Sequence, residues 1–100
     1  MPENVLPPLD PVLHSRVRLG IVSILAGVKE ATFSFLKEKL GTTDGNLSAN
    51  INKLETEGYI EVIKTFQGKK PVTSCHLTEK GKTAFSQYVE TLEQYYLLKK

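Results

Sequence analysis

The chain has few of the residues that form disulfide cross-links and no long apolar run of the kind that spans a membrane. It contains one cysteine, Cys75, so no disulfide can form within it, which is typical of proteins kept in a reducing cytoplasm. Its longest apolar-rich run, Leu19 to Val28, is roughly half of the ~20 residues that a membrane helix needs. The N-terminus, MPENVLPPLDP, lacks the charged and apolar regions of a signal peptide. We therefore expect a cytoplasmic protein with no membrane partner.

A strong excess of one charge is also missing, as are the motifs of catalysis. The 13 lysines and arginines against 11 acidic residues leave a net charge of +2. Such a mild balance does not by itself indicate a polyanionic partner, and only a local arrangement of charge could. There is no glycine-rich phosphate loop, no nucleophile motif and no metal-ligand spacing. We expect no enzyme, no catalytic residue, no metal site and no cofactor.

The first part of the chain predicts an extended arm followed by a helix. Four prolines in residues 1–11 favour an extended arm, docked through Val5 and Leu6. Asp10 is placed to cap a helix that has Pro11 at its first position. This helix is predicted to reach Ala26 or Val28, with an inward stripe of Val17, Ile21, Ile24, Leu25 and Val28.

Two shorter helices should follow, joined by a tight turn. Thr32 can cap a helix over 33–40, which Gly41 ends because glycine adopts positive φ without strain. Thr42 or Thr43 then caps a third helix, 43–57, and Gly58 closes it. Two short helices separated by three residues match the spacing of a helix-turn-helix.

The remaining third of the chain predicts a β-hairpin and a final helix. On the first strand, Ile60 and Val62 are predicted to face inward, alternating with outward-facing residues. Residues 67–70 form the turn, which Pro71 helps to end, and 72–77 form the return strand. Thr78 caps a last helix that runs from residue 79 to about 98.

This order is that of a winged helix, and the residues also resemble a known family. The chain resembles the MarR/ArsR-type winged-helix transcriptional regulators, especially their small single-domain bacterial and archaeal members. The resemblance spans roughly residues 12–98 and lies in DGNLSANINKLETEGYIEV, GKKP and HLTEKGKTAF, which begin at residues 44, 68 and 76. We expect a mostly α fold with a β-hairpin (α+β), a winged helix-turn-helix with N- and C-terminal dimerisation helices. Its parts would be the arm 1–11, the winged helix 12–78 and a dimerisation helix 79–100.

The third helix is the candidate DNA reader. Leu47, Ile51 and Leu54 form one narrow apolar stripe, and small or hydrogen-bonding residues occupy the opposite arc. Asparagine can bond adenine through two atoms, and an alanine methyl can meet a thymine methyl. Lysines at the hairpin turn can reach phosphates. The predicted contacts with double-stranded DNA are Thr42, Thr43, Gly45, Asn46, Ser48, Ala49, Asn52, Lys53, Gln67, Lys69 and Lys70.

Lys37 and Lys39 of the second helix fit phosphate contacts and a solvated face equally well.

The last helix carries the candidate dimer interface, which comprises Phe85, Tyr88, Leu92, Tyr95 and Tyr96. These residues present more apolar surface than a small domain readily covers near a terminus, and aromatic residues are enriched at interfaces. We expect a homodimer that reads a pseudo-palindrome, with recognition helices about one DNA turn apart. The simplest consequence of such binding is repression.

Other interpretations remain open from the sequence. The third helix could dock a protein instead of DNA, or an effector could bind at a dimer interface. Cys75 could sense redox state or join His14 and His76 in a metal site, as in some relatives. However, Cys75 shares strand parity with Leu77 and should be buried and inert, and it points away from His76.

Overall fold

The computed structural model describes residues 5–97 and has the predicted α+β class. Its helices are α1 (Arg16–Gly27), α2 (Phe33–Leu40), α3 (Asp44–Thr56) and α4 (Glu79–Thr91), and its strands are β1 (Ala31–Thr32), β2 (Ile60–Gln67) and β3 (Lys70–Leu77). A π-helical turn, Leu92–Tyr96, continues α4 and closes with a bond from the Leu97 N–H to the Leu92 carbonyl. The helical stretch thus ends at Tyr96, about two residues before the predicted end, because Leu97 is extended (φ −93°, ψ 120°). None of the helices within 5–97 is long and apolar enough to cross a bilayer.

The strands form one antiparallel sheet in the order β1-β3-β2. β2 and β3 pair from Ile60↔Leu77 to Gln67↔Lys70, so Gly68 and Lys69 alone make the turn. The return strand begins at Lys70 rather than at the predicted residue 72, so Pro71 lies inside β3 opposite Phe66. A proline is tolerated there because the short β1 pairs only as far as Ser74, and no neighbouring strand needs the missing N–H.

The start of α1 also differs from the prediction. Asp10 does accept hydrogen bonds from the N–H groups of Val12 (2.8 Å) and Leu13 (3.4 Å). However, it caps only a single turn, because Ser15 is extended (φ −154°) and the helix begins at Arg16. This break lets Val12 and Leu13 enter the core. Asp10 is therefore a turn cap and does not start the helix.

Two predicted apolar contacts of the first segment are also wrong. Val28 is exposed because α1 ends at Gly27 and the chain becomes extended. Val5 and Leu6 are both about half exposed, and the arm is held instead through Leu9 and the Pro7 carbonyl, which accepts a 2.6 Å bond from the Tyr96 hydroxyl.

The core lies between the helices and the inner face of the sheet. Its fully buried side chains are Leu13, Ile21, Val22, Leu36, Leu47, Leu54, Ile60 and Cys75. Each of the three helices α1 to α3 contributes to it, so α3 is fixed by packing rather than by propensity. The opposite side of α3 is thereby held out toward solvent.

Candidate nucleic-acid interface

The α2-turn-α3 unit is built by the predicted caps. The Thr32 hydroxyl accepts from the Phe35 N–H, and the Thr43 hydroxyl accepts from the Asn46 N–H, both at 3.1 Å. Gly41 has φ +60°, and its N–H bonds the Lys37 carbonyl at 2.9 Å. Only residues 41–43 separate the two helices, so the angle between them is set within three residues.

The two faces of α3 match the sequence-based division. Leu47, Ile51 and Leu54 are buried. The exposed residues of the opposite arc are Gly45, Asn46, Ser48, Ala49, Asn52, Lys53 and Thr56. Thr43 is exposed as well, and Thr42 is partly buried. The predicted α3 contacts thus form one continuous solvent-facing surface.

A chain of hydrogen bonds runs along one flank of α3. The Arg18 guanidinium donates to Asn50 Oδ1 at 2.9 Å, and Asn50 Nδ2 donates to the Asn46 carbonyl (2.8 Å) and to Asn46 Oδ1 (3.0 Å). Asn46 Nδ2 in turn donates to Thr42 Oγ1 at 2.7 Å. The Asn46 amide is therefore already engaged in holding the helix start. Within residues 5–97, Ser48 and Asn52 have no such partner and keep their hydrogen-bonding groups available.

Arg18 ties this network to the segment before α1. Its Nε donates to the Val12 carbonyl at 2.6 Å, and a second guanidinium nitrogen reaches the Pro11 carbonyl at 3.5 Å. Sequence reasoning did not predict the bond between Arg18 and Asn50. Helical periodicity placed Arg18 outside the inward stripe, and only the packing of α1 against α3 brings it to Asn50.

All three lysines of α2 and α3 already have a protein partner. Lys37 lies 2.7 Å from Asp44, Lys53 lies 3.5 Å from Glu57, and Lys39 sits 5.5 Å from the centre of the Phe35 ring. The two ion pairs are largely exposed, and exposed pairs contribute little stability. These lysines can exchange a carboxylate for a phosphate at small cost.

The hairpin tip, which we call the wing (residues 64–71), has a different charge pattern. Lys64, Lys69 and Lys70 are exposed, and none contacts an acidic group among the described residues. Gln67 is exposed beside them. The wing is consequently a cationic projection at the end of the sheet.

The cysteine and the two histidines do not form a common site. Cys75 is fully buried, as its strand parity predicted, and burial, together with the charges of Glu55 and Glu30, raises its pKa to about 11. His76 pairs with Glu61 at 2.6 Å on the other face of the hairpin, and His14 Nδ1 lies 3.0 Å from the Tyr88 hydroxyl. Residues 5–97 contain no group of three His, Cys, Asp or Glu side chains able to hold a metal ion.

The apolar and aromatic residues of the last helix are more buried than the sequence indicated. Tyr88 is 5% exposed, and Phe85 and Leu92 pack against the core. Tyr96 is partly buried and holds Pro7. Of the five predicted interface residues, only Tyr95 is exposed, at 50%. The argument from surplus apolar surface therefore applies to Tyr95 and to its neighbour Leu97.

Comparison with known proteins agrees with this geometry. A family model described as a winged helix DNA-binding domain matches residues 17–96. An uncharacterized protein of Methanocaldococcus jannaschii is 37% identical over 83 residues, which are 83% of this chain and 90% of that protein.

Solved structures show the same fold. A transcriptional regulator homologue of Pyrococcus horikoshii is 30% identical with a TM-score of 0.77, over 82% of this chain and 81% of that chain. A MarR-like transcription regulator of Bacillus cereus (22% identical, TM-score 0.68) matches 86% of this chain and 64% of its own. Bacillus subtilis PadR in complex with operator DNA (24% identical, TM-score 0.64) matches 75% of this chain and 48% of its own. Because the family model covers most of the described residues, the chain belongs to the winged helix DNA-binding domain family.

Proposed function

We propose that this protein is a transcriptional regulator that binds specific sequences in double-stranded DNA as a homodimer. The observation that carries the proposal is the outward arc of α3. Ser48, Ala49 and Asn52 are exposed there, without hydrogen-bond partners among residues 5–97, on a helix that the Arg18–Asn50 bond helps to position. A regulator of this kind acts by occupancy and needs no catalytic group.

The mode of binding follows from the dimensions of the groove. The major groove of B-DNA admits one α-helix, and the N-terminal half of a recognition helix reaches the base edges. Ser48, Ala49 and Asn52 would then read bases. Gly45 has nothing within 4 Å of the position of a Cβ, so the start of α3 can approach a phosphate closely with its backbone N–H groups.

The wing supplies the second contact. Lys69 and Lys70 would reach the backbone beside the α3 site, where each neutralised phosphate releases counterions. Bacillus subtilis PadR, which shares the fold, was solved in complex with operator DNA, and this supports DNA as the kind of partner. Two copies with recognition helices one turn apart would read a pseudo-palindrome, and repression by blocking polymerase is the simplest outcome.

Fluorescence anisotropy with duplexes selected from a random pool tests the proposal. We expect saturable binding whose logarithmic affinity falls linearly with the logarithm of salt concentration. Replacing Asn52 and Lys53 by alanine should weaken binding at least ~5-fold, because loss of a base contact and of a phosphate contact costs about 1–3 kcal/mol. A matched double variant on α4, Lys82→Ala with Thr83→Ala, should bind like the wild type. Absence of binding even at low salt would overturn the proposal.

A winged helix that docks a protein is the rival function. The ion pairs Lys37–Asp44 and Lys53–Glu57 favour it, because they lower the positive charge of the reading surface. The same α3 variant separates the two functions. DNA affinity should fall while folding and dimer mass stay unchanged, whereas the rival predicts that only the capture of a protein partner changes.

A further inference from the structure

The wing carries an aromatic residue in an unusual place. Phe66 is 74% exposed, more than any other large apolar side chain within residues 5–97. It lies next to Gln67, which flanks the two-residue turn, and it pairs across the hairpin with Pro71. Exposed hairpin edges more commonly carry charged side chains, which discourage pairing with other chains. An exposed phenyl ring at this position therefore needs an explanation other than stability.

The alternation of side chains along β2 explains why the core does not cover the Phe66 ring. Ile60, Val62, Lys64 and Phe66 share one face of the strand. Ile60 is buried and Val62 is partly buried, but Lys64 is already in solvent. Phe66 thus projects beyond the end of the core. With Pro71 opposite, it forms a small apolar cap that packing within residues 5–97 leaves uncovered.

The charges around this cap indicate its partner. Lys64 lies two residues away on the same face, and Lys69 and Lys70 lie in and beside the turn, all without acidic partners among the described residues. Contact between two wings would bring these lysines together from both copies, and the repulsion disfavours a second copy as the occupant. Duplex DNA has the complementary pattern, since phosphates border a groove lined by sugars and base edges. Minor-groove proteins use apolar wedges in this way.

We propose that Phe66 and Pro71 form an apolar contact with the minor-groove face of duplex DNA, framed by the wing lysines. This inference rests on the proposed function and adds a salt-independent component to wing binding. Burial of a ring removes apolar surface from water and releases no counterions. It therefore differs measurably from a lysine–phosphate contact.

The test compares Phe66→Ala with Lys69→Ala by anisotropy at several salt concentrations. The probe is a labelled mixed-sequence duplex long enough for two sites one helical turn apart. Phe66→Ala should weaken binding about 5- to 30-fold with an unchanged salt slope. Lys69→Ala should lower the slope by about one unit. Thermal unfolding should be nearly the same for both variants, because both side chains are exposed.

A tryptophan probe gives an independent reading. The chain has no tryptophan, so Phe66→Trp creates a single indole at the wing. Its emission should shift or be quenched when duplex is added, whereas that of Ser86→Trp, at an exposed position of α4 outside both proposed interfaces, should not change.

The outcomes separate the two proposals. Wild-type binding that Phe66→Ala leaves intact, or a loss accompanied by a lower salt slope, would overturn the apolar contact alone. A change in dimer mass with Phe66→Ala would assign the ring to self-association and also overturn it. Failure of the wild type to bind any duplex would overturn both the contact and the proposed function.

Discussion

At the scale of single residues, two glycines show how position decides the effect of one methyl group. A Cβ at Gly81 would lie 2.1 Å from the Tyr59 carbonyl oxygen and 2.8 Å from Leu77 Cδ1, whereas a Cβ at Gly45 would meet nothing within 4 Å. Both glycines lie in the first turn of a helix. The first allows α4 to dock on the start of β2, and the second leaves the start of α3 open to a ligand.

We expect Gly81→Ala to destabilise the fold by about 3 kcal/mol, because the clash is with backbone that cannot easily move. Gly45→Ala should leave stability unchanged or raise it by about 0.5 kcal/mol through better helix propensity. Urea unfolding measures both. Gly45→Ala should nevertheless weaken DNA binding if the helix start approaches a phosphate, and normal affinity for this variant would argue against that contact.

Two buried groups predict how stability depends on pH. Burial, followed by the hydrogen bond and charge of Asp10 and the charge of Glu57, raises the pKa of Tyr59 from 10.0 to about 12. Burial likewise raises the pKa of Cys75 from 9.0 to about 11. Both groups ionise more readily in the unfolded chain. Their contribution to stability is therefore complete below about pH 9 and is lost as the pH rises from about 9 to 12.

Urea unfolding between pH 7 and about pH 10.5 checks this expectation, with an upper limit near 1.4 kcal/mol per pH unit for each group. Cys75→Ala should flatten the decline that begins near pH 9. Tyr59→Phe should affect only the later part, near pH 10 and above, apart from the constant loss of its 2.5 Å bond to Asp10. A wild-type curve that stays flat above pH 9 would contradict the assigned shifts.

At the scale of elements, Arg18 connects α1 to α3 and so positions the reading helix. Arg18→Met should remove the donor to Asn50 and cost about 1–2 kcal/mol of stability. We also expect weaker DNA binding with little change in the salt slope, because the network acts on the orientation of α3. Anisotropy and urea unfolding of the same variant measure both effects.

Arg18→Lys is the informative control for this prediction. Lysine keeps the charge but lacks the planar fork that reaches Asn50 and the Val12 carbonyl together. If Arg18 positions α3, the lysine variant should bind DNA as poorly as the methionine variant. If Arg18 instead meets a phosphate, lysine should preserve affinity and salt slope, and the positioning role would be wrong.

At the scale of the whole molecule, the proposed homodimer depends on a small exposed surface. Tyr95 and Leu97 are each about half exposed near the end of the described chain, and the Tyr96–Pro7 bond brings the N-terminal arm, with the exposed Leu6, close to them. This surface thus joins the first and the last parts of the described chain. A dimer built there would join the two halves of a palindromic site through the last helix.

Light scattering tests this assembly. We expect a mass about twice 11.2 kDa for the wild type and a shift toward monomer for Tyr95→Ser. Phe35→Ser, which changes a similarly exposed aromatic residue on α2, should remain dimeric. DNA affinity should fall with Tyr95→Ser, because two linked half-sites bind more tightly than one. A wild-type mass of 11.2 kDa at high concentration would rule out the dimer.

Local chemistry made much of the fold predictable. The hydroxyls of Thr32 and Thr78 cap their helices as the sequence indicated, Thr43 is the one of the two predicted threonines that caps α3, and Gly41 has the positive φ that its position predicted. The apolar stripe of α3 is buried at the three positions that its period predicted. These features depend on neighbours within about four residues, so a single sequence contains the information.

Features that depend on distant contacts were not predictable. The Tyr59–Asp10 bond, the burial of Tyr88 against His14 and the two-residue β1 strand each require a partner far along the chain. The predicted DNA contact of Asn46 is affected in the same way. Its side-chain amide already forms hydrogen bonds with Asn50 and Thr42. Periodicity reports which face is apolar, but not which polar group on the other face is already bonded.

The sequence by itself determined the order of the helices and of the β-hairpin, the inward face of α3 and the lysines of the turn, since caps, periodicity and turn chemistry are local. Tertiary structure alone decided which of these groups remain available. It brought Arg18 to Asn50, buried Tyr88 and left Phe66 beyond the end of the core. The physical reason is that hydrogen bonds and burial are satisfied between elements, and only the packed chain shows what remains for a partner.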